Sequence, residues 1–252
     1  MLPRKFGLLF LILVLPVAVA SLGYHWHWNW FPLLDLDEAP ALLAYALTLT
    51  VGKAGILLTL VLLCLLTLFR RHRKPHQLLV FFLCLFTALG GAFVTKTLAK
   101  LYFKEPRPYV LWLVEQGRLP NTDSFYANRE SVREQLLRQG LSQVPEQQIP
   151  GWLKLHWGEE VNYSFPSGHA IAAMTLASFF CLLLSWRQGS RWLIAALATW
   201  AIAVCYSRLL LGLHWPADIL ASALLGFGFG ALGAGGFIAW YNRMELKAGN
   251  RE

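Results

Sequence analysis

Phe165-Pro166-Ser167-Gly168-His169 opens directly onto an uncharged apolar run from Ala170 to Trp186. That junction decides the fold. A run of this length is close to what one membrane-spanning helix needs, about 20 residues at ~1.5 Å each across a ~30 Å hydrocarbon core. The pentapeptide ahead of it supplies a helix start. Pro166 fixes the backbone just outside the helix, and Ser167 can cap it. Gly168 lets a bound group come close to the main chain. His169 is the side chain suited to moving a proton near neutral pH. The N–H groups of such a helix start are a ready anion site. Taken alone, the junction reads equally well as an ordinary capped helix with a surface histidine. Whether it is a working site has to come from the rest of the chain.

The 252 residues are 56% apolar and only 14% charged, where a soluble domain carries roughly a quarter charged residues. The mean hydropathy is +0.47. These values exclude an ordinary soluble globular protein and predict an all-α, polytopic membrane protein, since helices satisfy their own backbone inside lipid. The formal net charge of +8 would suggest nucleic acid in a soluble chain. Here the basic residues collect on short loops and orient the protein instead. Cys64, Cys84, Cys181 and Cys205 all lie in apolar runs, without zinc or C-x-x-C spacing. They read as small packing residues rather than disulfides.

Outward from the junction, six transmembrane helices are expected. The first is Phe6 to Leu22, which also resembles a secretory signal with Ala18-Val19-Ala20 before Ser21. An uncleaved span is the preferred reading. Trp26, Trp28 and Trp30 follow and favour the headgroup zone. The apolar run from Ala41 to Phe69 is too long for one span. It predicts an interfacial helical stretch and then a second span from about Thr50 to Phe69, with Lys53 snorkelling outward. Arg70-Arg71-His72-Arg73-Lys74 reads as a cytoplasmic loop. The third span is Gln77 to about Leu98, the fourth Gly168 to Trp186, the fifth Trp192 to Leu210 and the sixth Asp218 to Trp240. Gly226, Gly228, Gly230, Gly233, Gly235 and Gly236 in the last predict close helix packing rather than a nucleotide loop.

This layout puts the short basic loops and both termini, including the tail with Arg243, Lys247 and Arg251, on the cytoplasmic side. Tyr102 to Tyr163 is the one long polar region. It reads as a partly helical periplasmic insertion (about 102–163) within a single membrane-embedded domain spanning 1–252. Arg129 to Arg138 is its clearest amphipathic segment.

Three polar groups then emerge on the outer side. Lys100 and Arg107 close the third span, seven residues apart, and would share a face if the helix continued that far. Pro106 and Pro108 hold Arg107 between them, and arginine offers a planar fork matched to phosphate oxygens. Pro166-Ser167-Gly168-His169 opens the fourth span. Ser207-Arg208, His214 and Asp218 bracket the turn from the fifth span to the sixth. Arg208 sits at a span end with no acidic neighbour in sequence, so an anionic ligand would serve as its partner. Asp218 lies four residues after His214 and can hold one imidazole nitrogen, leaving the other free to attack. A lone His–Asp pair is often structural, and His169, His214 and Asp218 are also conceivable zinc ligands. The missing clustered His-x-x-x-His or nearby thiolate counts against zinc. Fixed positive donors, helix-start amides and two histidines are the parts that phosphoryl transfer through a covalent intermediate requires without a metal.

Lys-x6-Arg-Pro, Pro-Ser-Gly-His and Ser-Arg-x5-His-x3-Asp, in this order, resemble the three-part signature of the type-2 phosphatidic acid phosphatase family. The residues that carry the resemblance are Lys100, Arg107, Pro108, Pro166, Ser167, Gly168, His169, Ser207, Arg208, His214 and Asp218. The long insertion and six-span layout look like the bacterial phosphatidylglycerophosphatase B and undecaprenyl-diphosphate phosphatase branch. The resemblance implies His214 as nucleophile through a phosphohistidine, Asp218 as its aligner, and His169 as general acid and then base. Lys100, Arg107, Ser167, Gly168 and Arg208 would bind phosphate oxygens. It implies no metal and no other cofactor, no nucleic acid and no required protein partner. The expected substrates are lipid phosphates and diphosphates: phosphatidylglycerol phosphate, undecaprenyl diphosphate, phosphatidate and diacylglycerol diphosphate. The expected location is the bacterial inner membrane, with the site at the periplasmic face and opening laterally to lipid. A lipid phosphotransferase with undecaprenyl diphosphate as donor would use the same residues. A transporter with a vestigial site would not need them intact.

Overall fold

The structure is a computed structural model that describes residues 2–22, 31–33, 35–53, 55–68 and 74–249. Trp26, Trp28, Trp30, Arg70, Arg71, His72, Arg73 and Arg251 lie outside the described residues. Among the described residues every regular element is an α-helix. They are α1 (Leu2–Leu22), α2 (Ala39–Leu49), α3 (Gly55–Leu68), α4 (Pro75–Phe103), α5 (Pro108–Glu115), α6 (Thr122–Ala127), α7 (Glu130–Ser142), α8 (Gly151–Gly158), α9 (Gly168–Trp186), α10 (Arg191–Leu210) and α11 (Pro216–Gly249). Helix starts follow local chemistry. Pro75, Pro108 and Pro216 each stand first in their helix, where no intrahelical N–H is needed. Ser167 and Ser190 cap α9 and α10 through their side-chain oxygens.

Among the described residues five helices, α1, α4, α9, α10 and α11, are long and apolar enough to cross a membrane by length and composition. The protein is a multi-pass membrane protein. The remaining expected span, Thr50 to Phe69, is shorter than its apolar run. Thr50 to Lys53 form a turn that ends α2, and α3 has 14 residues, about 21 Å of helix. The six-span count is therefore not reached on length alone. α2 is the helical stretch expected ahead of that span, and it packs along α10.

α9 is the hub. It packs against α11, α10, α4 and α1, and from Ile171 to Leu183 nearly every side chain is buried. Around it Phe81 meets Phe179 and Phe237 edge to face at 5.5 and 5.7 Å. The glycines of α11 let it lie directly on α9. A Cβ at Gly230 would stand 2.0 Å from Ser178 Oγ and 2.3 Å from the Thr175 carbonyl oxygen, so only glycine fits that crossing. By contrast Leu57, Leu58, Leu79, Leu83, Phe93, Leu98 and Leu101 on α3 and α4 are each more than half exposed. An apolar face of that extent is lipid-facing surface.

Helices α5 to α8 build a cap with its own apolar cluster, which includes Tyr109, Leu113, Phe125, Leu137 and Trp157. α7 is the amphipathic helix anticipated at Arg129 to Arg138. The cap is tied to the α10–α11 turn. Trp157 stacks on Tyr109 with ring centroids 4.7 Å apart and donates its indole N–H to the Leu211 carbonyl at 2.9 Å. This tie fixes where the turn carrying His214 sits. The four cysteines are free thiols, with Cys181 and Cys205 buried.

Candidate active site

α4 stops at Phe103. Lys104 adopts a left-handed backbone (φ 49°) and Arg107 becomes the N-cap of α5. Lys100 and Arg107 therefore do not share one helical face, and the chain between them turns toward the site. Proline on both sides keeps Arg107 extended. Its guanidinium is 2% exposed and held from three sides: Nε donates to Asn162 O at 2.7 Å, Nη1 to Leu213 O at 3.0 Å and Nη2 to Glu160 Oε2 at 2.8 Å.

The α10–α11 turn supplies the histidine. Gly212 takes φ 69°, a conformation glycine adopts without strain, and its carbonyl accepts the Tyr109 N–H at 3.0 Å. His214 follows with Nδ1 3.3 Å from Asp218 Oδ2 and 3.2 Å from Ser164 Oγ. Asp218 Oδ2 also accepts the Ser164 hydroxyl and the Trp215 N–H. On the other side of the ring, Nε2 lies 3.4 Å from Arg107 Nη1. A guanidinium can only donate, so Nε2 carries the lone pair and the proton sits on Nδ1, aimed at Asp218 and Ser164. Burial together with Arg107, Arg208 and Lys100 holds the His214 pKa well below its usual value. The ring is a neutral base with its free nitrogen facing a cation.

Arg208 is fully buried. Nη1 donates to Thr48 Oγ1 at 2.9 Å and to His156 Nε2 at 3.2 Å, and Nη2 to Glu160 Oε1 at 2.7 Å. Burial and Arg208 lower the His156 pKa to about 4, so His156 is a neutral acceptor. His169 enters at the start of α9 with Nδ1 3.6 Å from Glu160 Oε1. Lys100 Nζ donates to the carbonyls of Tyr163 and Ser164, which pins the loop ahead of α9. The Ser167 N–H donates to Ser222 Oγ at 2.8 Å, and the Ser167 hydroxyl accepts from the Ala170 N–H. The first bond ties α9 to α11 and the second caps α9; these are the partners that two groups expected in a phosphate cradle have in the free protein. Gly168 packs against Lys96, where a Cβ would meet Cδ at 3.0 Å.

All eight candidate residues thus gather at one end of the bundle. Two further residues were not anticipated. Ser164 bridges His214 and Asp218. Glu160 sits between the two arginines. Burial alone would raise the Glu160 pKa, but Arg208 and Arg107 outweigh it and hold the carboxyl well below the usual range. The unmet acidic partner of Arg208 was a signal for such a residue, although 48 positions separate the two. Among the described residues no three His, Cys, Asp or Glu side chains gather as a metal-binding group. A cavity of about 670 Å³ runs from this site between α3, α4 and α9. Ile56, Phe86, Leu89 and Phe93 line its apolar length, and Lys100, Arg107, His169 and His214 line its polar end.

The family model for the PAP2 superfamily matches residues 79–241. Phosphatidylglycerophosphatase B of Escherichia coli (strain K12) is 37% identical over 145 residues, 56% of each chain. This chain therefore spans just over half the length of that relative. Phosphatidylglycerophosphatase B of Haemophilus influenzae is 35% identical over 185 residues, 72% of this chain and 75% of the other. In fold, the structure resembles that of the first transmembrane PAP2 type phosphatidylglycerolphosphate phosphatase from Bacillus subtilis, with a TM-score of 0.50 and 18% identity over 95% of this chain and 96% of the other. The matched span holds every residue of the three-part signature, and the structure brings those residues to one end of the bundle: the chain belongs to the PAP2 superfamily.

Proposed function

We propose that the protein is a membrane lipid phosphatase that releases inorganic phosphate from lipid phosphates and diphosphates through a phosphohistidine on His214. The observation that carries this is the pairing of a neutral, carboxylate-aligned His214 with an arginine fork on its free nitrogen, at the polar end of an apolar cavity. Relatives named phosphatidylglycerophosphatase B and undecaprenyl-diphosphatase support phosphatidylglycerol phosphate and undecaprenyl diphosphate as substrates; phosphatidate and diacylglycerol diphosphate complete the proposed class.

In the first step the Nε2 lone pair attacks phosphorus. The P–N bond forms as the bond from phosphorus to the lipid oxygen breaks, and that oxygen takes a proton from His169. Arg107 and Arg208 meet the charge growing on the non-bridging oxygens. Asp218 and Ser164 stabilise the Nδ1–H as the ring becomes positive. In the second step His169 removes a proton from water, water attacks phosphorus, and the P–N bond breaks to release phosphate and restore His214. Lys100 holds the loop that carries Ser164 and stands at the polar end of the cavity as a further donor for phosphate oxygens. Ser167 and Gly168 seat the start of α9 so that His169 faces the arginines. Rate accelerations for phosphate monoesters approach ~10²¹, so several groups acting together are required.

The lipid tail lies in the cavity between α3 and α4, open sideways to the outer leaflet at the periplasmic face of the inner membrane. The test is phosphate release by the purified protein in detergent, with chelator present, from phosphatidylglycerol phosphate and undecaprenyl diphosphate in parallel. Steady release from either lipid, abolished in His214→Ala, is expected. No release from any lipid phosphate sinks the reading, and loss of release with chelator sinks its metal-free form.

A further inference from the structure

We propose that Glu160 is a built-in competitor for the phosphate: its carboxylate fills the seat between Arg107 and Arg208 in the free protein, and the phosphate displaces it. The identity of the incoming anion rests on the phosphatase reading. The seat itself rests on geometry alone.

One carboxylate bridges two buried guanidinium groups, with Oε2 2.8 Å from Arg107 Nη2 and Oε1 2.7 Å from Arg208 Nη2. The other nitrogens are largely committed. Arg107 gives Nε to Asn162 and Nη1 to Leu213, while Arg208 gives Nη1 to Thr48 and His156. The corner each arginine offers an anion is therefore Nη2, and Glu160 holds both. This is also the seat the chemistry needs. It lies 3.6 Å from His169 Nδ1 and shares Arg107 with the free nitrogen of His214. Two anions do not share that corner, since like charges in a site screened from water repel strongly.

A second observation points to a different ligand in the working state. Arg208 Nε is buried and has no hydrogen-bond partner, which a buried donor rarely tolerates. Glu160 does not meet it: Oε1 is directed at Arg208 Nη2 and Oε2 at Arg107 Nη2. A phosphate has a third oxygen. It can take Nε and Nη2 of Arg208 side by side, in the bidentate manner that suits a guanidinium, and still reach Arg107.

The exit is built in. The Glu160 backbone is held on both sides, its N–H by Trp157 O at 3.0 Å and its carbonyl by the Tyr109 hydroxyl at 3.1 Å. The movement is therefore a rotation of the side chain, not of the loop. The cavity it faces is lined by Lys53 and Lys96 as well as by Glu160 itself, so a displaced carboxylate finds cations there. Its return to the arginines after hydrolysis expels the product phosphate. In the free protein it compensates two buried cations that would otherwise repel.

The experiment is anion binding by the full-length protein in detergent, read by titration calorimetry with inorganic phosphate and with orthovanadate. The wild type is compared with Glu160→Gln. The variant should bind both anions at least about tenfold more tightly, the scale of one lost charge-assisted contact. With lipid substrate its KM should fall while kcat does not rise. Equal or weaker anion binding by Glu160→Gln overturns the proposal, as does a fall in kcat at unchanged KM, which would mark Glu160 as part of the chemistry. Should the variant not fold, a structure of the wild type with vanadate bound decides. Glu160 is expected to have left both Nη2 atoms, and a carboxylate still at 2.7–2.8 Å beside the bound anion contradicts the proposal. Binding needs no turnover, so these outcomes are independent of whether the protein hydrolyses any given lipid.

Discussion

Arg107 Nη1 stands 3.4 Å from His214 Nε2, so the cation proposed to hold the phosphate also faces the free nitrogen of the histidine. In the proposed mechanism binding and attack are coupled through this one side chain. Lysine at position 107 could keep the charge but not the fork, nor the simultaneous contacts to Asn162 O and Leu213 O. Arg107→Lys is expected to lose about 10²-fold or more in kcat, the range found for removing a transition-state donor. A variant within threefold of wild type would mean that the charge alone suffices.

Ser164 separates positioning from attack. Its hydroxyl touches both His214 Nδ1 and Asp218 Oδ2 but no reacting atom. Ser164→Ala should lower kcat by about tenfold, the worth of one hydrogen bond to a charged group, with KM unchanged and the acid limb of the pH–rate profile displaced. An unaltered pH profile would reduce Ser164 to a packing residue.

The α9–α11 crossing is tested at two glycines of one helix. Gly230→Ala drives a methyl into Ser178 and the Thr175 carbonyl, while at Gly228 nothing lies within 4 Å. Gly230→Ala should cost about 1–3 kcal/mol and lower the melting temperature in detergent. Gly228→Ala should leave it equal or raise it slightly, since alanine is the better helix former. Equal melting of the two variants would place α11 farther from α9.

His156 gives stability a pH dependence of definite sign. Its pKa falls from an ordinary value of 6.5 to about 4 in the folded protein, so between these values the unfolded chain binds a proton the folded one does not. The contribution is fully present above 6.5 and is lost as pH falls toward 4, by roughly 3 kcal/mol at most. His156→Gln keeps an acceptor for Arg208 without titrating. Its melting temperature should drop less than that of wild type between pH 7.5 and pH 5. Parallel drops would assign the acid sensitivity to other groups, His214 first.

The bundle was legible because lipid imposes a simple rule: long apolar runs become helices, and serine or proline starts them at Ser167, Ser190, Pro75 and Pro216. The signature residues were legible because each has a special backbone or charge at a span end. What escaped depends on contacts between distant segments. α3 is short because the chain turns at Thr50 to Lys53, and no change in hydrophobicity announces how long that turn is. Lys100 and Arg107 lie on different elements because Lys104 goes left-handed, which a lysine side chain gives no reason to expect. Ser164 and Glu160 are ordinary residues in a polar stretch. They acquire meaning only when the cap, tied by Tyr109 and Trp157 to the α10–α11 turn, lays that stretch across the arginines. Arg208 did signal an anion. The sequence suggested a ligand, and the fold supplied Glu160.

The proposed mechanism is covalent, with phosphate passing through Nε2 of His214. Rapid acid-free quenching of the protein during turnover of terminally labelled phosphatidylglycerol phosphate, followed by peptide mapping, tests it directly. Base-stable, acid-labile label is expected on the peptide containing His214, and none in His214→Ala. Label on another residue, or full turnover by His214→Ala, would contradict it.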